Sequence, residues 1–118
     1  MKLITAIVRP EKLDELIEAL TGSRVRGLTV SDVRGFGCQF GEPAPGASLD
    51  LGLSRARRAA LLPKVRLDLV VLDDDAGSLV EVLAKHARTD TIGDGKIWVT
   101  TVDSVLRVRT GERDRAAI

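Results

Sequence analysis

Pro63-Lys64-Val65-Arg66-Leu67-Asp68-Leu69-Val70-Val71-Leu72-Asp73-Asp74-Asp75 is the stretch that decides the fold. Val65, Leu67, Leu69 and Val71 alternate with Lys64, Arg66 and Asp68, the pattern of a strand with one wet face at its start. The aspartates that follow stand where a helix dipole favours acid. Leu79, Val82, Leu83 and His86 then share one helical face. Gly93-Asp94-Gly95 is a turn signal, and residues 97–102 read as a further strand. Working back from Pro63, the same plan recurs. Residues 2–8 form an apolar strand rich in β-branched side chains, and Pro10 opens a helix at no cost in lost hydrogen bonds. Leu13, Leu16, Ile17 and Leu20 fall at i, i+3, i+4 and i+7, and Gly22 closes the helix. Residues 28–33 are extended and end at Gly35-Phe36-Gly37.

Residues 38–60, between the halves, differ in kind. Gly41-Glu42-Pro43-Ala44-Pro45-Gly46-Ala47-Ser48 has turn residues and no period. A loop this long inside a compact domain is usually functional or disordered. A second reading makes Ser54 the cap of a short helix reaching Ala60. After the last strand, residues 106–108 read as a short extended piece before a polar tail. The order β-α-β, long loop, β-α-β is the α+β, ferredoxin-like split βαβ plan (βαββαβ). Two helices cover one sheet face. Nothing in the chain covers the other, which predicts self-association.

The 118 residues fit one domain, spanning 1–118. Aromatics are only 3% with no Tyr, so the core must be aliphatic. A net charge of +1 gives no global field toward nucleic acid or an anionic membrane. One cysteine, Cys38, cannot form an internal disulfide. The apolar start ends at Val8, too short for a signal peptide, and no run approaches membrane-spanning length. The expected location is the cytoplasm.

Three clusters can carry chemistry. Gly93-Asp94-Gly95-Lys96 has the composition of a phosphate-cradling turn, with glycine N–H groups and a lysine; it is also that of a tight Asp-Gly turn. Arg107, Arg109 and Arg113 form the second, the first two on one side of an extended chain. Their forked donors suit oxyanions, and an edge strand blunted by charge would look the same. Arg34-Gly35-Phe36-Gly37-Cys38-Gln39 is the third, where glycines permit close backbone approach or mark a strand end. Cys38 and His86 are poorly placed for a catalytic pair, and one Cys with one His supplies no metal-ligand spacing. Trp98 reads as a core or subunit-interface residue. The basic run Arg55-Ala56-Arg57-Arg58 suits solubility or a partner, not nucleic acid.

Four stretches in this order resemble the PII signal-transduction family. They are Val33-Arg34-Gly35-Phe36-Gly37-x-Gln39, Leu62-Pro63-Lys64-Val65, Thr89-x-x-x-Gly93-Asp94-Gly95-Lys96-Ile97-Trp98-Val99 and Arg107-Val108-Arg109-Thr110-Gly111-Glu112. The resemblance implies a homotrimer of ferredoxin-like subunits that is not an enzyme. It implies ATP or ADP in clefts between neighbouring subunits, 2-oxoglutarate beside Mg-ATP, and a protruding loop (38–60) that engages a transporter, enzyme or regulator in nitrogen and carbon metabolism. By position, Gly35, Gly37, Gly93, Asp94, Gly95 and Lys96 would line the phosphates. Arg107 and Arg109, in a tail (104–118) that contacts nucleotide, would add to them. Ile7, Thr29 and Val70 would lie near adenine and ribose. Gln39 and Lys64 match family positions that serve the Mg-ATP and 2-oxoglutarate site, Gln39 touching Mg²⁺ only through Mg-ATP, and Cys38 and Gln39 also count among the nucleotide-binding positions.

The chain departs from the family in its loop. Cys38 stands where the family usually has an arginine on the terminal phosphate. Losing such a contact costs about 1.5–3 kcal/mol, about one to two decades of affinity, and favours ADP or AMP. The loop is a few residues longer and lacks the Arg-Gly-x-Glu-Tyr segment. With no Tyr in the chain, nucleotidylation of tyrosine is excluded; Ser48 and Ser54 remain as other modifiable positions. The arginine that plugs a transporter has no clear counterpart, although Arg55, Arg57 and Arg58 are nearby. The alternatives are a sensor of ADP and AMP without 2-oxoglutarate response, and a small phosphate-handling enzyme on the same fold. The second lacks a base or nucleophile, with Asp94 in the turn and His86 packed.

Overall fold

The computed structural model describes residues 1–23, 25–36 and 61–118. The readings placed on residues 38–60, on Gly37, Cys38 and Gln39, and on the helix proposed from Ser54 lie outside the described residues. Strand β1 (Lys2–Val8) leads through a 3-10 turn (Pro10–Lys12) into α1 (Leu13–Thr21), which ends at Gly22. β2 (Thr29–Gly35), β3 (Leu62–Val71), α2 (Asp73–Ala87) and β4 (Lys96–Thr101) follow, and a final 3-10 turn spans Asp114–Ala117. The strands form one antiparallel sheet in the order β2-β3-β1-β4. The two βαβ halves interleave, so the first strand of each half lies at the centre. This is the α+β, ferredoxin-like arrangement expected from the sequence.

Alternation along the central strands decides which face is buried. Ile4, Ala6, Val8, Val65, Leu67, Leu69 and Val71 turn toward the helices and meet Leu16, Leu20, Leu79 and Leu83. The buried stripe of α2 is Ala76, Leu79, Leu83 and Ala87. It is not the expected face of Leu79, Val82, Leu83 and His86. Two alanines let the helix approach the sheet closely and rotate Val82 and His86 to the rim. His86 is therefore not packed in the core: its Nδ1 lies 3.0 Å from Glu15 Oε1 of α1. Ile17, expected on the buried face of α1, is 38% exposed.

The tail also differs from its expected form. Leu106 makes a single bridge to Arg113, and residues 108–110 are a turn. Gly111 N–H donates to the Arg107 carbonyl at 2.8 Å and Arg107 N–H to the Glu112 carbonyl at 2.9 Å. Gly111 adopts φ +74°, which closes this turn. Arg107 and Arg109 thus do not share one side of a strand. Among the described residues, no helix is long and apolar enough to cross a membrane.

Register fixes what the uncovered sheet face presents. Directly opposed residues share a face, and the pairs Ile7↔Arg66, Ile7↔Lys96, Thr29↔Asp68, Val33↔Lys64 and Thr5↔Trp98 alternate with the buried set. The open face therefore carries Ile7, Thr29, Lys64, Val70 and Lys96 together. Trp98 lies on it too, 42% exposed, and is not a core residue.

Candidate functional site

The turn between α2 and β4 is built by contacts far apart in sequence. Arg9, just beyond β1, donates from Nε to Asp94 Oδ1 at 3.0 Å, and from its Nη2 to Thr91 Oγ1 at 2.8 Å and to the Ile92 carbonyl at 2.6 Å. Thr89 N–H donates to Asp94 Oδ2 at 2.7 Å, and the Thr89 hydroxyl donates to Asp94 Oδ1. These bonds to Thr89, reinforced by the Arg9 guanidinium, hold the Asp94 carboxyl far below the usual carboxylate range. Asp94 is consequently the internal clasp of the turn.

Gly93 and Gly95 have φ of +106° and +98°. At Gly95 a Cβ would lie 1.7 Å from the Ile7 carbonyl oxygen, so the turn can lie against β1 only without a side chain there. The Lys64 ammonium donates to the Gly93 carbonyl at 2.6 Å. Burial, then the nearby charge of Arg9, pushes the Lys64 ammonium below its ordinary pKa. The result is a rigid turn with two lysines at its rim.

This turn walls a cavity of about 410 Å³ against the open end of the sheet. Ile7, Gly35, Lys64, Gly93, Gly95 and Lys96 all line it, and Phe36, Ile92 and Trp98 supply an apolar side. Thr29, Val70 and Arg107 are placed elsewhere. They line a second cleft, also of about 410 Å³, together with Asp68 and Arg26. Lys64 and Val70 are six residues apart on β3, which is about 20 Å of strand. Arg107 is held there by Glu112, whose carboxyl is lowered first by the Thr110 hydroxyl and then by Arg107. Arg109 is exposed in its turn and lines neither cleft.

Sequence reasoning missed Arg9 and Thr89, whose roles depend on partners across the fold. It also missed Asp68. Here a signal existed, because Lys64, Arg66, Asp68 and Val70 step by two along one strand and must share a face.

A glycine-built, cationic turn can accept an oxyanion through backbone N–H groups and two ammonium groups. Fold and site together define a small ferredoxin-like α+β protein with an anion-suited turn on its uncovered sheet face. The chain belongs to the P-II family: the family described as nitrogen regulatory protein P-II matches residues 1–112. Nitrogen regulatory protein P-II 2 of Methanothermobacter thermautotrophicus is 44% identical over 118 residues, covering 100% of this chain and 97% of the relative. P-II 1 of the same organism is 45% identical with the same coverage. Nitrogen regulatory protein GlnK of Escherichia coli is 42% identical, with both chains covered completely. Each of these relatives is named as a regulatory protein, and the chain is a signalling regulator of the P-II family.

Proposed function

We propose that this regulator is a homotrimeric sensor of adenine nucleotides. ATP or ADP, with AMP as a third ligand, binds with Mg²⁺ between neighbouring subunits, and a protein target reads the result through residues 38–60. The target is a transporter, enzyme or regulator of nitrogen and carbon metabolism in the cytoplasm. 2-Oxoglutarate enters beside Mg-nucleotide at Lys64 and Gln39. The protein neither binds nucleic acid nor inserts into the membrane, and it is not an enzyme.

One observation carries this reading. Residues expected to touch one nucleotide fall into two groups about 20 Å apart on β3 of one subunit. A neighbouring copy can bring the second group of one subunit to the first group of the next. Phosphates go to Gly93, Gly95 and Lys96, while Thr29, Val70 and Arg107 come from the neighbour. Chemistry at this site has little support: the Asp94 carboxylate is occupied by Thr89 and Arg9, and His86 pairs with Glu15 on the helical layer.

A second reading keeps the nucleotide and drops 2-oxoglutarate, so that ADP or AMP is the signal; Cys38, where relatives in this family usually have arginine, favours it. Isothermal titration with ATP, ADP and AMP plus Mg²⁺, repeated in saturating 2-oxoglutarate, separates the two. ATP tightened by 2-oxoglutarate supports the first; indifference with ADP or AMP preferred supports the second. Lys96→Ala and Arg107→Ala are expected to weaken nucleotide binding while sedimentation still gives a trimer. Unchanged affinity in both variants, or a monomer at micromolar concentration, overturns the assignment.

A further inference from the structure

Arg9 stands one residue beyond β1 and reaches across to the turn between α2 and β4. Pro10 disfavours helical backbone at the residue before it, and Arg9 is extended, with φ −67° and ψ 139°. From there its side chain passes the end of the β1–β4 ladder, whose last pair is Ile7↔Lys96. A guanidinium has five N–H donors. Three serve the turn, through the bonds to Asp94, Thr91 and the Ile92 carbonyl. Nη1, which carries the other two, lies 3.8 Å from Glu11 Oε1. The Arg9 side chain is only 15% exposed and does not line the first cavity. Its charge is therefore used inside the turn and not offered to a ligand.

The Ile92 carbonyl and the Gly93 N–H belong to one peptide unit. In a planar trans unit the two point in opposite directions, and no peptide bond among the described residues is cis. Holding the carbonyl against Arg9 thus turns the Gly93 N–H away from the guanidinium. Without that bond the unit would be loosely held, because Gly93, at φ +106°, has no Cβ to restrict its rotation. Among the described residues no acceptor takes the Gly93 N–H, and Gly93 lines the cavity. Accepting from a guanidinium also polarises the peptide, which strengthens its N–H as a donor.

We propose that Arg9 is a positioning residue for the ligand: by holding the Ile92 carbonyl it aims the Gly93 N–H at a phosphate oxygen of the bound nucleotide, which Arg9 itself does not touch. Asp94, fixed in turn by Thr89, holds the guanidinium in place. The role requires the fork. Arg9 meets Asp94 and the Ile92 carbonyl from two different nitrogens, and a single ammonium cannot hold that geometry.

This inference rests on the nucleotide reading, and the test separates the two. Full-length parent, Arg9→Lys and Thr91→Val are titrated with ATP and Mg²⁺, each checked for an unchanged oligomer by sedimentation. Thr91→Val removes another bond to the same guanidinium and leaves the one to the Ile92 carbonyl. Arg9→Lys is expected to bind ATP about 10- to 100-fold more weakly than the parent, and Thr91→Val to stay within about 3-fold of it. A merely stabilising contact would weaken both variants alike, in step with melting temperature. Amide proton shifts at saturating Mg-ATP give a readout independent of affinity. The Gly93 amide should move downfield in the parent and in Thr91→Val, and stay near its free position in Arg9→Lys. Arg9→Gln is measured in the same way should Arg9→Lys lose the oligomer. Parent-like affinity or a parent-like Gly93 shift in the Arg9 variant, or an equal loss in Thr91→Val, overturns this inference alone. So does a Gly93 amide that ATP leaves unmoved in the parent. A parent that binds ATP not at all overturns the nucleotide reading and this inference with it.

Discussion

Replacing Gly95 by alanine tests whether the turn is held as rigidly as its geometry implies. A Cβ there would lie 1.7 Å from the Ile7 carbonyl oxygen and 2.7 Å from the carbonyl carbon. Both atoms are backbone, and Ile7 is tied into the sheet on both sides, opposite Arg66 and Lys96. No side-chain rotation can relieve the contact. Holding an L-residue in the left-handed region costs roughly 1–2 kcal/mol. Pushing the end of β1 aside and leaving a ladder group unpaired costs roughly 1–3 kcal/mol more. Alanine stiffens the unfolded chain, which returns about 0.4–1 kcal/mol. The net loss is about 1–5 kcal/mol, a fall in melting temperature of about 4 °C or more for a domain of this size. Gly77→Ala is the control: it lies within α2, a Cβ there meets nothing within 4 Å, and its φ is not positive. That change should stabilise by roughly 0.5–1 kcal/mol. Thermal unfolding at fixed protomer concentration measures both, since association shifts apparent stability by mass action. Hydrogen exchange at residues 93–96 reports whether the turn alone has opened. A Gly95→Ala protein melting within about 2 °C of the parent, with unchanged exchange at the turn, would refute the argument.

Two other outcomes are expected. The folded-state pKa of Asp94 is depressed, so its contribution to stability is complete above the usual carboxylate range and is lost as pH falls through about 4 and below. Asp68 shifts in the same direction. Melting temperature should therefore owe little change to these groups from pH 8 to 5 and drop in acid, while Asp94→Asn should melt lower at pH 7 and fall less steeply; an Asn variant with the parent's acid profile would contradict this. Leu67, fully buried at the centre of β3, should cost about 2–5 kcal/mol when truncated to alanine. Urea unfolding that registers less than about 1 kcal/mol would mean that the sheet packs differently from this description.

Much of the fold is legible because the central strands bury alternate residues against one helical layer. In β1 and β3 the pattern of Ile4, Ala6, Val8 and of Val65, Leu67, Leu69, Val71 survives intact. β2 carries no buried residue and is legible only as an extended run that ends in glycine. The stripe of α2 is misread by a fraction of a turn, because Ala76 and Ala87 are small enough to define the contact and too weakly apolar to mark it. The tail misleads for another reason: Gly111 folds it back, and period-two reasoning fails wherever a turn intervenes. At the site, glycine and lysine types reveal the turn itself. The clasp on Asp94 is not legible, since Arg9 lies 85 positions away in the chain.

The placement of the turn also bears on how a ligand signal can leave the site. Gly35 ends β2 and Leu62 begins β3, and both line the first cavity. The chain between them, residues 36–61, contains the whole loop expected to meet a partner. This cavity is therefore bordered both where β2 ends and where β3 begins. Lys64 ties the same strand to the Gly93 carbonyl of the turn, and an incoming phosphate competes with that carbonyl for the ammonium. Under the proposed nucleotide reading, a phosphate's charge then acts on the start of β3 through this one side chain. Differential contact of this kind is what population shift requires; under the proposed nucleotide reading, the phosphate end of the ligand is the part that meets Lys64.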